Sequence, residues 1–457
     1  MKDKISRRYF LETASLAGAG LSLAVPALSG SRGSALGAEV ANTKPARLGG
    51  QPVCSGDWPG WPVYGEPEEK ALLDTLHSGH WFRGTGKADL HFEEAYRKLT
   101  GAKHCLATAC GTAALYTSLG ALDIGPGDEV ILPPYTFVAT YNVVVLNYAL
   151  PIFVDSDLES FQIDATKIEP AITKDTKVIL PVHIGGSPAD LDTILAVAGK
   201  HKIPVVEDAC QAHLAEWRGR KVGTFGLAGC FSFQASKNLN SGEGGAVLTN
   251  DDEFAEICYN FHNQGRARQA TGYNFTYSGT RGSNLRLCEF QGDLLIAQMT
   301  RLIEQSNRRK ENALYLTKLL NEIPGIKPAK LYEGATRSAY HLYMFRYDEA
   351  QFAGLDRSKF LAALSAEGVP CSAGYGAMNR DDYVSGLASN KHFLKLYGEK
   401  RLKAWLDRNH SLSQNDKLCE QAVWFTQNML LAERGKMDQI AEAIRKIQSH
   451  AGELARA

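Results

Sequence analysis

Lys237 ends the run Phe231-Ser232-Phe233-Gln234-Ala235-Ser236-Lys237, a short apolar strand entering a loop, and Gly242-Glu243-Gly244-Gly245 follows. A lysine at a strand exit among small residues reaches inward without crowding. Its amine can bond an aldehyde and, once released, can move a proton. Upstream, Val205-Val206-Glu207-Asp208-Ala209-Cys210-Gln211 is an apolar strand ending in two acids. Alternation along a strand sends their side chains to opposite faces, and Asp208 is the better candidate for the face that bears a site. Thr108-Ala109-Cys110-Gly111-Thr112-Ala113-Ala114-Leu115 is a strand, a small-residue turn and a helix start. The free N–H groups and the helix dipole of such a turn suit an anion, with the Thr112 hydroxyl as a further donor. Ser232, five residues before Lys237, can supply another. Phe137, in Pro133-Pro134-Tyr135-Thr136-Phe137-Val138-Ala139-Thr140, can lie against a flat ring.

Taken singly, each residue has an ordinary structural explanation. Lys237 can be a solvated loop lysine. The two acids can cap a helix or pair with surface cations. Thr112 can be a helix N-cap, and Phe137 can be core. Taken together they match the four needs of pyridoxal phosphate (PLP): a lysine for the aldehyde, a carboxylate for the pyridine nitrogen, donors for the phosphate and a wall for the ring. An ionised Asp208 keeps that nitrogen protonated. Gln211, three residues on, can reach the phenolic oxygen. Gly223, Gly226 and Gly229 do not form a dinucleotide fingerprint. His183, at a strand end, has structural and functional readings of equal weight.

Positioning these groups requires strands whose C-terminal ends converge. Apolar runs at 105–108, 130–133, 152–154, 178–182, 205–208, 231–233 and 246–249 read as seven strands, several of them continuous and so covered on both faces. Helical patterns at 112–122, 136–146 and 188–201 alternate with them. This predicts an α/β domain with a mainly parallel sheet and its ligand at the strands' C-terminal ends. The domain is expected over residues 66–310. A smaller C-terminal α+β domain is expected over 311–457, with a long helix at 301–320, a strand at 341–347 and a final helix at 437–451. Residues 39–65 read as an extended lead-in. Residues 1–38 read as a signal peptide, with Ser6-Arg7-Arg8-Tyr9-Phe10-Leu11 similar to the twin-arginine pattern and a mildly apolar stretch too short to span a membrane. Export, to the periplasm or beyond the cytoplasm, is the expected destination, and cytoplasmic residence is the alternative.

The 457 residues carry 50 basic and 50 acidic side chains, so nothing in the bulk charge favours nucleic acid or an anionic membrane. No stable membrane anchoring is expected. The nine cysteines form no Cys-x-x-Cys pair and their number is odd, which fits neither a zinc site nor a disulfide scaffold. No metal is expected.

In order, Gly111-Thr112-Ala113-Ala114-Leu115, Gly125-Pro126-Gly127-Asp128-Glu129-Val130, Thr136-Phe137-Val138-Ala139-Thr140, Val154-Asp155, Pro181-Val182-His183-Ile184-Gly185-Gly186, Glu207 to Ala212, Phe231 to Lys237 and Gly242 to Gly245 resemble the DegT/DnrJ/EryC1/StrS family of PLP-dependent sugar aminotransferases. Each motif is unspecific alone; the ordered set is specific. The likeness covers roughly residues 66–320 well and the C-terminus loosely. It implies a fold-type I PLP-dependent transferase with a mainly parallel seven-stranded sheet, usually a homodimer with sites at the interface. It assigns Lys237 to the Schiff base, Asp208 to the pyridine nitrogen, Gln211 to the phenolic oxygen, Ser232, Gly111 and Thr112 to the phosphate, and Phe137 to stacking. Asn284, in Gly282-Ser283-Asn284-Leu285-Arg286, resembles the family residue that reaches the partner's phosphate. The implied reaction moves an amino group from glutamate or glutamine to a keto-sugar or keto-cyclitol. A family branch with His in place of the lysine dehydrates instead, and Lys237 argues against it. Two departures stand out: a variant loop at 273–282, and Gly374-Tyr375-Gly376-Ala377-Met378, which lacks the family's usual Pro and His. Both, with the signal, argue against the family's usual nucleotide-linked sugar as substrate; the alternatives are another PLP reaction on an extracytoplasmic substrate and a non-catalytic sensor with this fold.

Overall fold

The computed structural model describes residues 44–268, 276–279 and 281–457; the signal-like segment 1–38 and part of the 273–282 loop lie outside them. All seven expected strands form: β1 (His104–Thr108), β2 (Glu129–Leu132), β3 (Leu150–Phe153), β4 (Thr176–Ile179), β5 (Val206–Asp208), β6 (Ala228–Ser232) and β7 (Gly245–Thr249). β3, β2 and β4 are parallel neighbours, as are β5 and β6. Parallel bridges at Ile179–Val205 and Val182–Asp208 join the two groups, giving the order β3-β2-β4-β5-β6-β7-β1. Only β7 runs antiparallel to its neighbours.

Along β1, β6 and β7 the pleat separates two cores. Leu106, Cys230 and Val247 enter one, with Val130, Ile131 and Ile152. Ala107, Phe231, Ala246 and Leu248 enter the other, with Phe92, Tyr96 and Phe233. Every residue of β2 and β3 is buried and, Glu129 apart, all are apolar, as strands covered on both faces require.

The helices that frame this sheet include α1 (Glu66–Ser78), α2 (Gly111–Ala121), α3 (Ala139–Leu146) and α4 (Leu191–His201). The long helix α5 (Glu289–Asn321) begins twelve residues earlier than its sequence pattern suggested. Its Leu295 and Leu302 pack on the sheet, whereas Ala313, Leu316 and Leu320 pack into a further core with Phe345, Val423, Ile440 and Ile444. That core belongs to an antiparallel sheet of β8 (Ile326–Pro328), β9 (Leu342–Tyr347) and β10 (Ala422–Thr426).

The C-terminal part is not confined to this second core. Helix α6 (Lys391–His410) and its approach return to the main sheet, where Val384, Phe393, Leu402, Trp405 and Leu412 are buried. The Trp405 indole N–H donates to the Pro151 carbonyl (2.7 Å), and the Phe153 N–H donates to Asn409 Oδ1 (2.6 Å). β3 is an edge strand, and α6 satisfies and covers it. Gly398, at φ +74°, interrupts α6 and its apolar period, so no helix was expected there. Helix α7 (Arg434–Ser449) closes the second core.

The lead-in is also docked. The Ala46 and Val53 N–H groups donate to the Glu367 carboxylate, and Trp61 donates to the Ala235 carbonyl (2.9 Å), two residues before Lys237. All nine cysteines are free. Among the described residues no helix is long and apolar enough to cross a membrane, and no His, Cys, Asp or Glu cluster could hold a metal.

Candidate active site

β5 ends in Glu207 and Asp208, and the two carboxylates leave on opposite faces. Glu207 is fully buried. It accepts from His183 Nε2 (3.0 Å) and from the N–H groups of Gly223 (2.7 Å), Phe225 (2.8 Å) and Gly226 (2.8 Å). Burial alone would raise its pKa, but His183 and the amides hold it below the usual carboxylate range. His183 Nδ1 accepts from the Ala189 N–H (3.0 Å), so Nε2 carries the proton and both ring nitrogens are spent on structure.

Asp208 turns the other way. Its Oδ2 accepts from the Thr140 hydroxyl (2.8 Å), which is itself paired with Thr136 (2.9 Å), and Oδ1 accepts from the Cys210 N–H (3.1 Å). This face carries Lys237, on which the charge of Asp208 acts. Lys237 sits in a turn held by its own N–H to the Gln234 carbonyl (2.8 Å). Burial lowers its pKa, opposed in part by Cys210 and Asp208. The neutral, nucleophilic form of the amine is thus more accessible than on a solvated lysine.

The anion turn lies next to them. Gly111 opens α2, and a Cβ there would stand 2.6 Å from Ser232 Cβ and 2.9 Å from Cys210 Sγ. Only glycine allows this approach. The cap of α2 is Cys110, whose sulfur accepts from the Ala113 N–H (3.4 Å), so Thr112 does not serve as N-cap. The amides of Gly111 and Thr112, in the first turn, have no intrahelical acceptor. Ser232 is braced from below: its carbonyl accepts from His213 Nε2 (2.9 Å), and His213 Nδ1 accepts from the Tyr96 hydroxyl (3.0 Å). Burial pushes the His213 pKa down to about 3.

Phe137 is 57% exposed, which rules out the core alternative. It precedes α3, whose Thr140 contacts Asp208. Gln211 Oε1 accepts from the Gly185 N–H (2.8 Å), and its amide donates to the Tyr375 hydroxyl (3.0 Å). Tyr375 packs edge-on against Tyr135 and Trp424, and the Trp424 indole N–H donates to the Tyr135 hydroxyl (3.0 Å). These three aromatics were not singled out as site residues. Tyr135 stood in the Pro133–Thr140 motif and Tyr375 in the departure at Gly374–Met378; Trp424 had no signal. His341, in contact with Lys237, was missed as well.

Lys237, Asp208, Gly111 and Ser232 thus converge, with Thr112, Gln211 and Phe137 on the flanking segments. Asn284 does not join them within the chain. It is exposed on a segment whose Leu285 carbonyl accepts from the Ala109 N–H (2.8 Å) and whose Arg286 bridges to Thr108. The set fits PLP: a buried amine without a carboxylate bonded to it, an acid on the same face, and a glycine cradle against a serine.

Comparison with known proteins agrees with this fit. The model of the DegT/DnrJ/EryC1/StrS aminotransferase family matches residues 63–423. An L-glutamine:2-deoxy-scyllo-inosose aminotransferase of Streptoalloteichus tenebrarius is 36% identical over 417 residues, spanning 89% of this chain and 97% of the relative. The crystal structure of 3-amino-5-hydroxybenzoic acid synthase superposes with a TM-score of 0.76 at 33% identity, covering 88% of this chain and all of that one. NtdA from Bacillus subtilis, solved with bound PMP, gives a TM-score of 0.71 at 25% identity over 84% of this chain and 83% of its own.

Proposed function

The chain belongs to the DegT/DnrJ/EryC1/StrS aminotransferase family, and from that premise we propose that it moves an amino group from glutamine, or glutamate, to a keto-cyclitol through Lys237. It is a PLP-dependent aminotransferase. When bound, PLP supplies an electron sink and a carrier for the amino group.

The protein's own groups divide the remaining work. Lys237 would hold the cofactor through its aldehyde carbon, with loss of water, and its free amine would carry the proton that moves during transfer. Asp208 faces the pyridine nitrogen. The Gly111 and Thr112 amides and the Ser232 hydroxyl take the phosphate. Gln211 would take the phenolic oxygen, and Phe137 would lie against the ring. Asn284 reaches the phosphate of a partner subunit. The homodimer this requires has support in the exposed apolar side chains Leu72, Leu73 and Leu76 of α1, followed by Trp81 and Phe82.

The observation that carries the reading is the convergence of the Lys237 amine, the Asp208 carboxylate and the Gly111–Ser232 cradle on one end of the sheet. A cyclitol is favoured over a nucleotide-linked sugar by two facts. The relative from Streptoalloteichus tenebrarius is named for 2-deoxy-scyllo-inosose. Tyr375, bonded to Gln211 and backed by the buried Tyr135 and by Trp424, is partly exposed and offers a surface for a bare ring.

Purified protein should absorb in the visible, and borohydride should fix the cofactor to Lys237. Glutamine should then convert it to the pyridoxamine form, and a polyhydroxylated cyclohexanone should convert it back. Fixation elsewhere, or none, sinks the assignment of Lys237; conversion by a nucleotide-sugar alone sinks the cyclitol. The twin-arginine-type signal over 1–38 is part of the proposal and rests on Ser6 to Leu11. Fractionation of an Arg7→Lys, Arg8→Lys variant tests it, and unchanged location counts against export.

A further inference from the structure

Lys237 has one side-chain hydrogen-bond partner among the described residues, and it is not an acid. His341 Nε2 lies 3.4 Å from Lys237 Nζ. The other ring nitrogen, Nδ1, faces Asn238 Oδ1 at 3.4 Å. The Asn238 amide is oriented from its far end, because Nδ2 donates to the Ala339 carbonyl (2.8 Å). Its oxygen is therefore the atom presented to His341, and His341 Nδ1 must carry the proton. That leaves a lone pair on Nε2, so Lys237 is the donor and His341 the acceptor.

The segment that delivers His341 is built for this placement. Tyr340, just before it, is buried and sits at φ +49°, a conformation that costs an L residue energy and persists only when its surroundings impose it. The Ala339 N–H donates to the Gly186 carbonyl (2.8 Å), and a Cβ on Gly186 would stand 3.1 Å from the His341 backbone nitrogen. The groups that act electrostatically on this pair are Cys210 and Asp208 from the side of Lys237, and His213 and Arg309 from the side of His341.

We propose that His341 is a positioning residue for Lys237: it accepts one N–H of the lysine and so fixes the rotation about Cε–Nζ, keeping the lone pair of Nζ pointed away from His341. The inference rests on the reading of Lys237 given above. Lysine acts twice in transamination, first as nucleophile toward the aldehyde and later as proton carrier. Both acts need that lone pair aimed, and a misplacement of about 1 Å costs on the order of 100-fold. When Lys237 holds the extra proton as an ammonium, the same N–H···Nε2 bond persists, so one contact serves both stages.

The test compares His341→Leu, which removes the acceptor at similar volume, with His341→Gln, which restores an amide oxygen near the Nε2 position. The first readout uses apoprotein and needs no turnover: the rate at which added PLP develops visible absorption, with the labelled lysine identified after borohydride. Expected is capture at least about tenfold slower in His341→Leu, with Lys237 still the labelled residue, and near wild-type capture in His341→Gln. In the loaded enzyme, kcat should fall by about 10- to 100-fold in His341→Leu while KM for glutamine stays within about twofold. Unchanged capture and kcat in His341→Leu overturn the proposal, as does a His341→Gln variant no better than His341→Leu. Where His341→Leu does not fold, His341→Gly with added imidazole replaces it; restored capture supports the role and no restoration overturns it. Label missing from Lys237 in the wild type would instead refute the underlying assignment of the lysine.

Discussion

On one face of β5, Glu207 is surrounded by four donors, and its partner His183 is bonded at both nitrogens. On the other face, one residue later, Asp208 has two donors, and the lysine nearby has only a neutral imidazole. The two acids have nearly the same chemistry and the same strand. What separates them is satisfaction. A buried charge with every lone pair occupied holds a fold together, because removing any partner strands the rest. A charge with capacity left over has something still to bind. Charge saturation, more than burial, distinguishes the structural face from the functional one.

The comparison can be attacked in order of expected effect. Lys237→Ala should lower transamination by about 1000-fold or more and abolish borohydride fixation. Its thermal midpoint should hold or rise, since a poorly compensated buried amine is lost; a fall of many degrees would assign Lys237 to the structural face.

Next comes the pair of acids. Asp208→Asn should cost about 100-fold in kcat/KM with about 1 kcal/mol or less of stability. Glu207→Gln should cost about 2–4 kcal/mol in urea unfolding. Equal stability losses would end the distinction. The sign with pH follows from Glu207 lying below its ordinary value. Its contribution is complete above the unfolded value of about 4.3 and is lost as pH falls through the lower folded value, a loss absent in Glu207→Gln.

His213 extends the test to the support under Ser232. Burial holds its folded pKa at about 3, below the ordinary 6.5, so it is stabilising while neutral. Stability should decline as pH falls from about 6.5 toward about 3, and His213→Asn should flatten that decline in urea midpoints measured across the range. The smallest effect belongs to Phe137→Leu. The residue is 57% exposed, so stability should move by about 0.5 kcal/mol or less, with cofactor affinity weakened severalfold in absorbance titrations.

Much of this was legible before any coordinates. The seven strands showed as apolar runs because a doubly covered sheet tolerates little else. The opposite facing of Glu207 and Asp208 followed from the period of a strand, and the Gly111 turn from its small residues. His341 was not legible. It is 104 residues from Lys237, and its pairing depends on a positive φ at Tyr340 and on the orientation of Asn238. Tyr135, Tyr375 and Trp424 meet from segments up to 289 residues apart. Helix α6 was hidden by Gly398, and its return to the edge strand β3 meets a need of the sheet that α6's own residues do not announce.

The sequence by itself determined the elements, the face on which each strand residue lies, and the residue types that can hold and use PLP, because periodicity and side-chain chemistry are local properties. Only the tertiary structure decided which of those residues are already satisfied. That depends on donors brought from distant segments, and it is what leaves Glu207 and His183 to the fold and Asp208 and Lys237 free for chemistry.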